Sequence, residues 1–277
     1  MSDLRHPLMR PHLDPERLAA LAPRWQVVVV DTSPSTHQAL AAEARTGAAG
    51  PGTVLVAEHQ TAGRGRLDRT WTTPARAALT VSLVVEPTLP DADWPWLPLL
   101  LGTSVAAGIE AAGGPRCGLK WPNDVMAPGR GAAGDDRPDL KVGGLLAERV
   151  ERESGPAVAV LSLGLNVTTT PEELPVPTAT SLVALGWAEP DRTTLLTEVL
   201  AAVAQRLEAW PTDGDRLRGE YAERCLTVGR HVRVERPGAV PLTGEAVEVA
   251  RDGSLVVDTA SGRRPVNAGD VVHVRPF

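Results

Sequence analysis

Apolar positions along this chain come in short runs with two different spacings. Val27-Val28-Val29-Val30 sits in a β-branched run from Gln26 that ends at Asp31 and predicts a buried strand. Thr53–Glu58 predicts a second strand, and Ala78–Val85 alternates into a third. Lys141–Val150 and Ala157–Val167 predict two paired strands. Helical composition follows Ser35 and Thr36, either of which can cap an Ala-rich segment that meets Gly47 near its end. Leu97–Ala112 and Thr193–Ala209 predict two longer helices. Between these elements lie a glycine/arginine loop from about Gln60 to Arg69, a short strand at Leu119–Trp121 and a hairpin tip at Gly129–Pro138. Residues 1–24 are polar and irregular, read as a loosely structured leader or one short helix.

Beyond about Arg224 the pattern changes. Thr227–Glu235, Gly244–Ala250, Ser254–Asp258 and Asp270–Val274 are short Val-rich strands divided by Pro-Gly, Asp-Gly and Ser-Gly turns. Tightly turned strands of this length predict a small five-stranded barrel of the SH3-like kind. The expected organisation is therefore a leader (1–24), an α/β domain (25–223) and a barrel (224–277). At about 150 residues per domain, the 277-residue length agrees with one large unit plus a small one.

Composition narrows the class. A hydrophobic fraction of 43% excludes a disordered chain, and no apolar run approaches the ~20 residues of a membrane span. The N-terminus shows no apolar segment of a secretory signal. Two distant cysteines, Cys117 and Cys225, suit a reduced cytoplasm and read as buried or incidental. A net charge of −6 argues against a general nucleic-acid binder. Within the 28 basic residues only Lys120 and Lys141 are lysines, and isoleucine occurs once, at Ile109. Arginine and valine have replaced lysine and isoleucine wherever chemistry allows. The two remaining lysines mark places where a compact point charge matters, because a planar guanidinium cannot substitute for it.

Both lysines fall inside motifs. Gly63-Arg64-Gly65-Arg66-Leu67-Asp68-Arg69-Thr70-Trp71 puts three arginines within six residues of a glycine-rich loop, suited to gripping a phosphate with bidentate donors. Such a loop could also be plain solvated surface, and it is not a Walker loop. Lys120-Trp121-Pro122-Asn123-Asp124 gathers Lys, Asn and Asp at a strand end: a cation for phosphate, and oxygens for Mg²⁺. Lys141-Val142-Gly143-Gly144-Leu145-Leu146-Ala147-Glu148 opens a strand with lysine and two glycines. Leu163-Gly164-Leu165-Asn166-Val167 carries one polar residue in an apolar strand. No His/Cys cluster has zinc spacing, and His59 reads as an ordinary strand or loop residue.

Taken in order, Ser-Thr-x-x-Ala, Gly-Arg-Gly-Arg-x-x-Arg-x-Trp, Lys-Trp-Pro-Asn-Asp, Lys-x-Gly-Gly-Leu-Leu-x-Glu and Gly-Leu-Asn-Val resemble the biotin protein ligases over about residues 25–277. The resemblance implies an α/β catalytic domain of the class II aminoacyl-tRNA synthetase kind, with a mixed sheet, and an SH3-like C-terminal barrel. It implies two half-reactions: biotin and MgATP give biotinyl-5′-AMP, and the lysine of a biotin carboxyl carrier domain then attacks the adenylate. Ser35, Thr36, His37 and Gln60 would hold the biotin head, with Gly143 beside it. Arg64, Gly65, Arg66 and Lys141 would meet the reacting carboxylate and α-phosphate. Arg69 and Lys120 would take the outer phosphates, while Trp71 and Asn166 would frame adenine. Asn123 and Asp124 would serve Mg²⁺, so that Lys141, Arg64, Arg66, Lys120 and Asp124 form the reacting centre.

His37 departs from the family's usual Asn, and Asp68 from its usual Gly, where it could pair with Arg66 or Arg69. A lipoate-protein ligase, sharing the catalytic fold, and a non-enzymatic biotin-binding regulator are the alternatives. The latter would not need Asn123, Asp124 and both lysines. The family's DNA-binding form needs a helix-turn-helix domain of roughly 60 residues, for which the leader is too short, so no nucleic acid or membrane partner is expected. Monomer and homodimer both stay open.

Overall fold

The computed structural model describes residues 10–66, 69–129, 138–236, 238–267 and 269–273. Leu67, Asp68 and nearly all of the expected hairpin tip at 129–138 lie outside the described residues, so the expected pairing of Asp68 is not among them. The strands of the large unit are β1 (Gln26–Ser33), β2 (Thr53–Gln60), the two-residue β3 (Gly63–Arg64) and β4 (Thr70–Trp71), then β5 (Ala78–Val85), β6 (Gly118–Lys120), β7 (Asp124–Ala127), β8 (Leu140–Val150) and β9 (Val158–Asn166). Seven of them form a mixed sheet in the order β1-β2-β5-β9-β8-β7-β6. Only the β1–β2 pair is parallel. β3 and β4 pair separately as a small hairpin.

Strand alternation assigns the two faces of this sheet. On β9 the odd residues Ala159, Leu161, Leu163 and Leu165, with Leu79, Val81, Leu83 and Val85 of β5, enter the main core. Helices α3 (Leu97–Ala111) and α4 (Arg192–Arg224) cover that face. They approach closely at Gly108, where a Cβ would meet Val199 at 2.7 Å. The opposite face carries a second, smaller core. Val158 and Val160 of β9, Val84 of β5 and Val150 of β8 pack there against Leu40, Ala41 and Ala44 of α2 (Thr36–Thr46). Helix α2 starts at its N-cap Ser35, whose hydroxyl accepts from Gln38 N–H, and stops at Gly47 in the left-handed conformation (φ 81°).

Several expectations change. β1 is an edge strand with alternating exposure, and Val28 is 50% exposed, because among the described residues no strand pairs with its outer side; a Val-rich run alone does not distinguish edge from centre. α4 runs well past Ala209, with a break in helical geometry at Asp213 (φ −123°, ψ 24°) two residues after Pro211. Pro removes an amide donor and so breaks the pattern locally, but Leu217 and Tyr221 carry the buried stripe onward. The leader is not loose over its described part. α1 (Pro15–Ala19) is capped by Asp14, and Leu13, Leu18 and Trp25 are buried. The buried Arg192–Glu58 pair anchors it, with Arg192 donating to Pro11 O and Glu58 accepting from Leu13 N–H.

The C-terminal unit has strands β10 (His231–Arg236), β11 (Ala239–Val249), β12 (Leu255–Thr259), β13 (Gly262–Val266) and β14 (Asp270–His273), in sheet order β13-β12-β11-β10-β14. Five strands form, as expected. β13 carries no apolar signal, since Gly262 to Pro265 are all exposed. This small antiparallel unit is bound tightly to the larger one. Trp96 and Trp121 donate their indole N–H to Arg251 O and Gly253 O, and Leu226 N–H bonds Leu119 O. Asp139, from the turn before β8, takes an ion pair from Arg230, beside His273.

Candidate functional site

The site begins where the second core ends. Along one face of β9 the side chains run Val158, Val160, then Ser162, Gly164, Asn166. The first two pack under α2, and the last three line a cavity of about 420 Å³. β5 changes in the same way, from Val84 to Ser82 and Thr80. Packing stops because the sequence stops supplying apolar volume, and the space left over is the pocket.

At the end next to α2, the pocket is lined with amide and hydroxyl groups. Gln60, at the end of β2, accepts at Oε1 from Thr36 N–H (2.8 Å) and from the Thr36 hydroxyl (3.1 Å). Ser35, His37 and Ser162 complete this part of the wall. The other end is cationic. Among the described residues, Arg64, Arg66, Arg69 and Lys141 line it together with two carboxylates, Asp124 and Asp270. The surplus positive charge suits an anionic ligand.

Lys141 Nζ lies 2.6 Å from Asp124 Oδ1, and Lys120 Nζ lies 3.6 Å from Asp124 Oδ2, so one carboxylate spaces the two lysines. Lys141 is further fixed by its backbone, which bonds Thr178 O and accepts from Thr180 N–H. Burial pulls the Arg66 guanidinium below its ordinary value, opposed by the charges of Asp124 and Asp270. It donates to oxygens of Asn123 and Gly269 at 3.3 and 3.4 Å, so an entering anion would relieve a partly desolvated charge. Arg69 is shifted the other way, raised by its hydrogen bond to Asp270.

The Trp71 indole packs over Gly164, where a Cβ would meet it at 2.7 Å. Its ring sits 6.0 Å from Lys141 Nζ, and its buried Nε1 has no hydrogen-bond partner among the described residues. Asn123 is held on both sides of its amide, donating to Leu145 O and accepting from Arg66. Asn166 donates to Thr180 O and so ties the 175–180 segment, which closes one side of the cavity, to the sheet.

Most of the expected residues therefore converge: Ser35, Thr36, His37, Gln60, Arg64, Gly65, Arg66, Arg69, Trp71, Asn123, Asp124, Lys141 and Asn166 line one cavity. Two do not. Gly144 faces the pocket instead of Gly143, because neighbours on a strand point to opposite faces. Gly143 is small for another reason, since a Cβ there would meet Gly164 O at 2.8 Å. Lys120 is outside the wall and reaches it through Asp124. Sequence reasoning missed Ser162, the 175–179 segment and the barrel's Gly269 and Asp270. Ser162 was legible as the residue four before Asn166 on the same face; the barrel residues gave no local signal.

The comparisons agree with this geometry. The model of the biotin/lipoate A/B protein ligase family matches residues 29–166, and that of the biotin protein ligase C-terminal domain matches residues 227–274. The chain is 40% identical over 276 residues to a biotin--[acetyl-CoA-carboxylase] ligase of Mycobacterium tuberculosis, covering 96% of this chain and 98% of that one. It is 28% identical over 251 residues to a bifunctional ligase/repressor of Bacillus spizizenii, covering 89% of this chain and 72% of that one. Among solved structures, a biotin protein ligase from Aquifex aeolicus in complex with biotin and ATP superposes with a TM-score of 0.74 at 26% identity, over 91% of this chain and 99% of that one. With a catalytic unit and a C-terminal unit both matched, and a 40% identical relative covered over 98% of its length, the chain belongs to the biotin protein ligase family.

Proposed function

We propose that the protein is an ATP-dependent ligase that converts biotin to biotinyl-5′-AMP and transfers the biotinyl group to the lysine of a carboxylase's biotin carboxyl carrier domain. The observation that carries this reading is the two-ended pocket, with amide and hydroxyl groups at one end and four cations at the other. A urea ring on an acyl chain that ends in a carboxylate, meeting a nucleoside triphosphate, matches both ends. The C-terminal family match favours biotin over lipoate within the shared catalytic family.

In the first half-reaction a carboxylate oxygen attacks the α-phosphorus, and the bond to the bridging oxygen of the β-phosphate breaks, releasing pyrophosphate. Two anions must approach, so fixed positive charge at the junction lowers the barrier. Lys141, Arg64 and Arg66 take that role, with Gly65 letting the backbone close in. Arg69 holds the outer phosphates, and Lys120 acts on them from behind Asp124; Trp71 offers its ring to adenine, and Asn166 fixes the segment beside it. In the second half-reaction the carrier's lysine amine attacks the acyl carbon, AMP leaves, and the nitrogen loses its proton. The ligase itself supplies no nucleophile.

A magnesium ion arriving on the nucleotide fits the donors present, since Mg²⁺ takes one or two protein oxygens and completes its shell with phosphates. Asp124 would supply a carboxylate and Asn123 Oδ1 an amide oxygen; among the described residues no three Asp, Glu, His or Cys side chains converge to hold a metal by themselves. When bound, the ion would neutralise the outer phosphates. Among the described residues no helix is long and apolar enough to cross a membrane, and both cysteines are free and buried, which suits a cytoplasmic enzyme.

Incubation with biotin, MgATP and a biotin carrier domain tests the reading. The carrier should gain the mass of one biotinyl group, and without carrier each site should release one pyrophosphate. An unchanged carrier, or equal turnover of lipoate, would overturn it.

A further inference from the structure

Along the amide and hydroxyl end of the pocket runs a hydrogen-bonded chain that continues beneath the wall through Ser82. From Gln60 Oε1 it passes to the Thr36 hydroxyl (3.1 Å), to Ser82 Oγ (2.9 Å), to Ser162 Oγ (2.8 Å) and to His37 Nδ1 (2.7 Å). It ends with His37 Nε2 at 2.9 Å from Glu148 Oε2, on a carboxylate that Arg45 also approaches. Thr36, Ser82 and Ser162 are all buried, and Ser82 is completely so. In such surroundings each proton in the chain must have an acceptor.

Proton counting gives the chain a direction. The Thr36 backbone N–H can only donate, and it points at Gln60 Oε1, so that atom is the amide oxygen and accepts the Thr36 hydroxyl proton as well. A hydroxyl has one proton. Thr36 has spent its own and must accept from Ser82; Ser82 has then spent its own and must accept from Ser162. Ser162 in turn must accept from His37 Nδ1–H, and because the Glu148 carboxylate can only accept, the contact at Nε2 requires a proton on that nitrogen as well. With that polarity the pocket wall presents spare lone pairs on Thr36 and Ser162 and the amide protons of Gln60. That is the complement of a cyclic urea, whose carbonyl accepts and whose two N–H groups donate.

We propose that His37 is a positioning residue that sets this polarity by donating from Nδ1 to Ser162, with Glu148 and Ser162 holding the ring, and so fixes the pocket's preference for the urea ring. The inference rests on the biotin reading of the site. Without a donor at position 37, the Ser162 hydroxyl is free to rotate and point its proton elsewhere. The Ser82 and Thr36 protons can then follow, so the wall offers donors where a urea N–H needs acceptors.

The test is adenylate formation by the full-length chain, read as pyrophosphate release, together with direct biotin binding by calorimetry. H37L should raise the biotin KM and Kd by about tenfold, the cost of roughly one hydrogen bond, with the KM for ATP and kcat within about twofold. H37N can donate to Ser162 from its amide and should recover most of the loss. S162A removes the neighbouring link and should raise the biotin KM similarly. The double variant H37L/S162A should be no worse than either alone, because both break the same chain. Thermal melts accompany each, and S162A serves as the test if H37L does not fold. Unchanged biotin KM in H37L and S162A, equal impairment of H37N and H37L, or additive losses in the double variant would each overturn the proposal. A wild-type protein that turns over no biotin would instead overturn the site reading beneath it, and the two failures are told apart by the wild-type control.

Discussion

The central sheet has two faces, made by alternate residues of the same strands. On β9, Leu161 and Leu165 point into the core beneath α3 and α4, while Ser162, Gly164 and Asn166 point into the cavity. One face is filled to the density of a protein interior; the other is filled only as far as Val160. The site is therefore a core left unfinished. Among the described residues its lining carries four cations beside two carboxylates, so an anionic ligand completes what packing did not.

If that contrast is right, substitutions one residue apart should separate stability from catalysis. Leu161→Ala on the filled face should cost about 2–5 kcal/mol in denaturant unfolding, by removing a buried side chain and leaving a void, while the remaining folded enzyme keeps its KM values. A loss below about 1 kcal/mol in that experiment would contradict the tight packing.

Lys141→Arg, on the cavity face, should do the reverse. The ammonium fits 2.6 Å from Asp124, and the longer planar guanidinium would displace the reacting carboxylate; a misplacement of about 1 Å can cost roughly a hundredfold in rate. Single-turnover adenylate formation should fall by about that factor with an unchanged melting curve. A near-normal rate would show that the lysine is a compositional accident. Lys120→Arg should be milder, since that cation reaches the pocket only through Asp124.

Gly164→Ala sharpens the comparison further, because its Cβ would overlap the Trp71 indole at 2.7 Å. The ring has to lift, so the KM for ATP should rise roughly tenfold with little change for biotin. Equal changes for both substrates would argue against Trp71 as the adenine platform.

The smallest expected effect lies away from both faces, where the barrel meets the large unit. Burial would raise the Asp139 carboxyl, but His273, the Gly129 N–H and Arg230 outweigh it and hold the carboxyl well below the usual carboxylate range. The folded state thus binds that proton more weakly than the unfolded chain does. The stabilisation is complete above about pH 4, the ordinary carboxylate value, and fades as acid titrates downward from there toward the depressed folded value. Asp139→Asn should lose about 1 kcal/mol at neutral pH and show a shallower fall in stability below pH 4. Parallel acid curves for the two proteins would rule the contact out as a source of acid sensitivity.

Much of this was legible along the chain. The strands at 78–85, 140–150 and 158–166 follow from alternation, and α2 follows from its Ser35 cap and Gly47 stop. The motifs that hold Lys120, Lys141 and the Arg64–Arg69 loop stand out because a composition that strongly prefers arginine kept lysine in two places only. Local patterns also located most of the cavity wall, since its residues sit on strand ends and on the loop between β2 and β5.

What the sequence alone determined is which residues are polar, small or charged at each step of a strand or loop, because covalent geometry alone sends alternate side chains to opposite faces. What only the tertiary structure decided is which of them meet. Gly144 rather than Gly143 faces the cavity, because strand pairing sets the phase of that alternation against its neighbours. β1 lies at the edge because sheet order is a property of the whole chain. Asp270 reaches Arg69 across 201 residues, and Glu148 reaches His37 across 111, by contacts that depend on how separate elements dock. Sequence neighbours are fixed by short-range sterics, whereas distant partners are fixed only when the common core has been buried.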